Sequence, residues 1–207
     1  ANSLLQIAVA IALAIAAITY PMLRNLGVIP TDAILAQAEA ISAERAQSLG
    51  YRFHNEALML ERAAEKPWFG WGGWGRNLVR DAETGQIVSI PDGHWILLFG
   101  TLGWLGYISE MGLLTLALVL LGSELWRRHP QDISAYATPI ALILAATMVD
   151  MLLNDTLVPY VWLCAGSVLG YAERLRYPHL FERPPPLFDG RQVLMPERAA
   201  EKPRSLL

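Results

Sequence analysis

Two histidines, six carboxylates and a set of arginines are gathered in one polar stretch of an otherwise apolar chain, residues 51–103, YRFHNEALMLERAAEKPWFGWGGWGRNLVRDAETGQIVSIPDGHWILLFGTLG. Asp92-Gly93-His94-Trp95 sets a carboxylate and an imidazole two residues apart at the mouth of an apolar segment, a placement suited to proton transfer. The plain alternative is a structural histidine at an interface. Arg52, Asn55, Met59 and Arg62 fall on one helical stripe by i, i+3, i+4 spacing. That stripe is either a cationic face for phosphate or a solvated face on which Arg52 pairs with Glu56. Lys66, Arg76 and Arg80 bring the stretch to five of the sixteen Lys and Arg. No group of His, Cys and carboxylates has the spacing of a metal site, and His54 and His94 are not joined by an HExxH-like pattern. No metal site is read from this spacing, and no cofactor is expected. Ser89 lacks a GxSxG context. Glu110 and Asp150 lie in or near apolar segments, where an ionisable residue is a functional hypothesis by default.

The run FGWGGWG holds a literal GxGxxG at Gly70, Gly72 and Gly75. A dinucleotide fingerprint must follow a strand and open a helix within a βαβ unit. Here it follows a helix and Pro67, in a chain with no run of strands. The remaining reading is a tight turn carrying Trp68, Trp71 and Trp74, which either seat at the lipid headgroups or stack on sugar rings.

The elements that must position these residues are apolar helices. The chain is 54% hydrophobic and only 17% charged, against about 25% charge in an average soluble domain. The net charge of −3 and scattered basic residues argue against nucleic acid. Cys164, the single cysteine, excludes an internal disulfide and reads as a packing residue.

The composition predicts an all-α integral membrane protein with about four transmembrane helices and a large helical outer-face loop. Residues 1–23 form the first crossing, closed by Pro21 and Arg24, with no basic n-region or cleavage site of a signal peptide. Residues 24–94 form the outer loop, with amphipathic helices over 31–48 and 51–65, separated at Gly50 and ended by Pro67. Residues 95–126 exceed one straight crossing. A short helix to about Gly103 and a crossing over 105–126 are expected, with Trp104 and Tyr107 at one interface and Trp126 at the other. Crossings over 134–153 and 156–173 make up a pair across 134–173, turned at Asn154-Asp155. Residues 174–207 read as a disordered cytoplasmic tail.

Arg127 and Arg128 mark a cytoplasmic loop by the positive-inside rule, which leaves 24–94 outside. The decapeptide LMLERAAEKP at 58–67 recurs as LMPERAAEKP at 194–203, read as a duplication without function.

An Arg opening an amphipathic helix, then Pro-Trp-Phe-Gly-Trp-Gly, a variable linker, Asp-x-His and a Gly-x-x-Gly break together resemble the O-antigen ligase and O-antigen polymerase superfamily. The residues carrying the likeness are Arg52, Pro67 to Gly75, Asp92, His94 and Gly103 to Gly106, within 51–125. Trp95 follows His94 where the family often has Asn, which leans towards a capsule or exopolysaccharide polymerase. Family members have more crossings, so the chain resembles their C-terminal part.

The resemblance implies glycosyl transfer at the periplasmic face of the bacterial inner membrane. The donor would be a glycan on undecaprenyl diphosphate and the acceptor a sugar hydroxyl. Other polysaccharide-assembly membrane proteins would be partners. It implies Arg52 as the cation on the leaving diphosphate and His94 as the base, oriented by Asp92. Arg62, Arg76, Arg80, Asn55, Trp71 and Trp74 would bind substrate. A non-catalytic export, transport or scaffold subunit is the alternative.

Overall fold

A computed structural model describes residues 3–128, 133–155 and 157–181. The order is α1 (Ser3–Asn25), α2 (Thr31–Ile41), α3 (Ala43–Ala64), α4 (His94–Leu125), α5 (Ala137–Asp150), α6 (Pro159–Arg176) and the short α7 (Pro178–Phe181). Among the described residues there is no strand, only one isolated antiparallel bridge between Arg80 and Ile87. The all-helical expectation holds.

α1 and α4 are the two helices long and apolar enough to cross a membrane, and α5 is a shorter apolar helix. α1 packs against α4 and α5, and α6 packs against both of those. Along α1 most of the buried positions are small residues and several large apolar ones face outward. α1 buries Ala10, Ala14 and Ala17 and exposes Leu5, Val9 and Ile15. Small residues inside let helix backbones approach closely, the mode of association available where the surroundings are already apolar. The Gln6 amide of α1 is used internally, since its Oε1 accepts from the Thr138 hydroxyl of α5 at 2.7 Å.

Several expected boundaries move. The break in the amphipathic region falls at Ser42 rather than Gly50. Ser42 is extended, and its hydroxyl caps α3 by accepting from the Arg45 amide. A Ser N-cap supplies an acceptor to a free helix amide. Gly50 lies inside α3, where it packs beside Leu35 of α2. The third apolar helix covers 137–150 rather than 134–153. Of the expected tail, residues 174–176 close α6 and 178–181 form α7. Residues beyond 181, with the second copy of the decapeptide, lie outside the described residues.

The decisive feature is α4. His94 Nε2 sits 2.7 Å from Glu110 Oε1, although sixteen residues of straight helix would separate their backbones by roughly 24 Å. The helix therefore folds back on itself. The break is at Gly103, with φ 65° and ψ −164°, a conformation essentially restricted to glycine. It divides α4 into a short arm (94–102) and a long arm (104–125).

Breaking a helix leaves carbonyls unpaired on one side and amides on the other. The Pro67–Gly72 loop satisfies both. The Trp71 and Gly72 amides donate to the Gly100 and Thr101 carbonyls at 2.9 and 2.8 Å. The Pro67 and Trp68 carbonyls accept from the Trp104 and Leu105 amides at 2.7 and 3.2 Å. The two backbones touch so closely that a Cβ on Gly103 would lie 2.5 Å from the Trp68 backbone, and one on Gly70 would meet Thr101 at the same distance. The glycine-rich aromatic turn is thus a clamp on the α4 break.

Tyr107 is not interfacial. It is fully buried, and its hydroxyl donates to the Ala17 carbonyl at 3.0 Å. At the far end of the long arm, the buried Glu124 pairs with Arg176 of α6 at 2.8 Å, which fastens the two helices together.

Candidate functional site

The turn between α5 and α6 gathers the two residues that the sequence singles out most strongly. Arg52 Nη1, from α3, donates to the Leu153 carbonyl at 3.1 Å. The His94 amide, first in α4, donates to the Met151 and Asn154 carbonyls at 3.0 and 3.2 Å. Gly93 makes this approach possible, because any Cβ there would collide with the Leu152 carbonyl oxygen. The turn itself is held by Asn154 Nδ2 donating to Asp150 Oδ1 at 2.8 Å.

The His94 ring lies between two carboxylates. Nδ1 is 2.8 Å from Asp155 Oδ1 and Nε2 is 2.7 Å from Glu110 Oε1. A neutral imidazole has one donor and one acceptor nitrogen. Both contacts are satisfied only when the ring carries two N–H groups or one carboxyl carries a proton. His94 itself is 7% exposed, whereas the Asp155 side chain is 49% exposed. Asp155 is the end of this chain of groups that faces outward.

Asp92, expected to orient His94, forms no hydrogen bond or ion pair among the described residues. His94, expected as the base, has both ring nitrogens engaged by other carboxylates, Asp155 and Glu110. Arg52 is not paired with Glu56. Glu56 is buried and instead meets Arg24 at 3.5 Å, the Tyr20 hydroxyl at 3.4 Å and the Trp95 indole at 3.3 Å. Burial pushes the Glu56 carboxyl above the usual carboxylate range, against the pull of Trp95, Arg24 and Tyr20. Asn55 is buried and committed to structure, donating to the Tyr51 carbonyl and accepting from the Ile90 amide at 2.9 Å each. Ser89, also buried, accepts from the Val79 amide at 2.9 Å.

Four of the expected substrate-binding residues meet elsewhere. Arg62, Trp71, Arg76 and Arg80 line a cleft of about 540 Å³, together with Leu58, Glu61, Glu65, Leu78 and Val79. Arg62 lies over the Trp71 ring with its guanidinium carbon 3.4 Å from the centroid, and Lys66 approaches the same ring at 4.0 Å. The Trp71 indole donates to the Arg62 carbonyl at 2.8 Å. Trp71 is therefore a post that holds two cations rather than a free platform for a sugar. Trp74 stands outside the cleft, at φ 66° and 97% exposed.

The cleft is not the turn site. Arg52 and Arg62 are ten residues apart on α3, about 15 Å along its axis. Two residues were missed by sequence reasoning. Asp155 was read only as part of a turn. Arg45, two helical turns before Arg52, shares with it, Ser48 and Leu49 a shallow depression of about 230 Å³. The i, i+7 spacing of the two arginines is the signal that could have found it. Among the described residues no group of His, Cys and carboxylates is placed to hold a metal ion.

No family model matches the chain, and no curated protein or solved structure matches it.

Proposed function

We propose that this protein is a multi-pass membrane glycosyltransferase of surface-polysaccharide assembly, a polymerase or ligase. It moves a glycan from undecaprenyl diphosphate to a sugar hydroxyl at the periplasmic face of the bacterial inner membrane. The observation that carries this reading is that Arg52 and His94 are both tied to the 151–155 turn. The exposed apolar side chains of α1 and α4 support the membrane setting, and α5 with α6 would supply a third and fourth crossing.

The chemistry follows from the groups present. Departure of a diphosphate develops negative charge that needs a fixed cation. Arg52 spends one of its five N–H donors on Leu153 and keeps the rest for phosphate, with Arg45 beside it. The acceptor hydroxyl must lose a proton as it attacks. Asp155, the outward carboxylate, takes that proton, while His94 fixes its orientation and Glu110 holds the far side of the ring. The acceptor oxygen bonds to the anomeric carbon as the bond to the diphosphate oxygen breaks, and the electron pair leaves with the lipid diphosphate. A single displacement of this kind inverts the anomeric centre.

The test is polymer length and yield in cells carrying Arg52→Ala or His94→Ala at normal protein levels. The proposal expects both to collapse. Unchanged polymer in both variants would move the assignment to a non-catalytic export, transport or scaffold subunit, for which these side chains are dispensable.

A further inference from the structure

We propose that the cleft between the end of α3 and the 71–80 segment is a separate binding site for an acidic saccharide, a sugar unit bearing a carboxylate. The inference rests on the glycan-transfer reading and names the class of glycan. Its position is the first argument, since a cleft about 15 Å along α3 from Arg52 cannot serve the same anomeric carbon. It would hold a more distant part of the chain.

Its lining is the second argument. The Arg62 charge is already used, by Glu65 at 2.8 Å and by the Trp71 ring. Arg76 and Arg80 are different. Each is steadied by one backbone carbonyl, Gly73 at 3.1 Å and Gly85 at 3.2 Å, and neither forms an ion pair among the described residues. Most of their N–H donors remain for a ligand, and a guanidinium fork matches a carboxylate in two-point contact. Glu61, in the same lining, offers an acceptor for sugar hydroxyls. Leu58, Leu78 and Val79 supply an apolar surface for the C–H face of a ring. The cleft volume lies in the usual range of small-ligand sites. A bare phosphate would use the two arginines and leave the apolar side and Glu61 without purpose.

The experiment is binding to the full chain in lipid nanodiscs, with oligogalacturonate, the same oligomer after carboxyl reduction, and inorganic phosphate as probes. Oligogalacturonate is expected to bind, the reduced oligomer to bind about tenfold more weakly or not at all, and phosphate to compete poorly. The Arg76→Ala/Arg80→Ala variant should lose about tenfold in affinity with its melting temperature unchanged, because both side chains are exposed and make only local contacts. Arg52→Ala should bind like the native chain. Equal binding of the reduced oligomer, no effect of the double variant, or full competition by phosphate would each overturn the acidic-saccharide site. Those failures would leave the Arg52 transfer test intact, and a failed transfer test would leave a measured binding difference standing.

Discussion

Arg52 and Arg62 sit on the same helix, belong to the same stripe of the sequence and do different things. Arg52 reaches across to the α5–α6 turn, the same turn that anchors the backbone of His94. Arg62 turns back on its own loop, stacks on Trp71 and pairs with Glu65. One joins distant parts of the chain, and the other stiffens the wall of a cleft. Residues that share a helical face share a direction but not a neighbourhood, and over ten residues the neighbourhood changes completely.

The turn region and the cleft should respond differently to substitution. The largest difference is expected at Asp155. Asp155→Asn removes the outward carboxylate and should lower the transfer rate by about 10²–10⁴-fold, the usual range for a general base. Asp92→Asn, nearer in sequence to His94 but without a hydrogen bond to it, should leave the rate near native. Equal losses in the two variants would erase the distinction between Asp155 and Asp92.

Next comes the element the two regions share. Gly103→Ala places a Cβ on a conformation that costs other residues about 1–3 kcal/mol and drives it into the Trp68 backbone. Detergent melts should show a clear loss of stability, and both transfer and cleft binding should fall together. A stable variant with native function would mean that the fold-back of α4 is not required.

Arg62→Ala should be milder, because a cation stacked on an indole contributes about 0.5–2 kcal/mol. Indole fluorescence should report the uncovered Trp71 while the transfer rate stays within a few-fold of native. A rate loss as large as that of Asp155→Asn would merge the cleft with the turn site.

The smallest effect is expected at Glu56. Its carboxyl is raised by burial in the folded chain, so the folded state holds this proton more tightly than the unfolded state. The resulting stability is present below the ordinary carboxylate pKa and is lost as pH rises through the raised value. Glu56→Gln should flatten this part of the dependence of melting temperature on pH. An unchanged slope would assign it to another group.

Several of these features were visible in the sequence. Long apolar runs announced α1 and α4, and the Gly-x-x-Gly of Gly103 and Gly106 announced the break in α4, which lies at its first glycine. What the sequence could not show was that the break is a fold-back. That depends on Pro67–Gly72 offering two carbonyls and two amides to the broken ends, a tertiary match that no local pattern encodes. The same fold-back brings Glu110 to His94. Asp92 looked like the partner of His94 because it lay two residues away, yet the helix start turns the ring towards Asp155, sixty-one residues on. Gly50 looked like a helix stop because glycine disfavours helices, but the Ser42 cap and the packing against Leu35 outweighed that preference. The cleft arginines were legible as cations, though not as a group apart from Arg52.

The measurement that bears most directly on the account is the single-turnover rate of glycan transfer from an undecaprenyl-diphosphate donor in nanodiscs. It should be made for the native chain, Arg52→Ala and Arg76→Ala/Arg80→Ala. The account predicts a loss of about 10²–10³-fold at saturating donor for Arg52→Ala, as expected when a fixed charge on the transition state is removed. For the double variant it predicts a weaker apparent affinity with a near-native maximal rate. A native rate in Arg52→Ala with equally abundant, folded protein would contradict it.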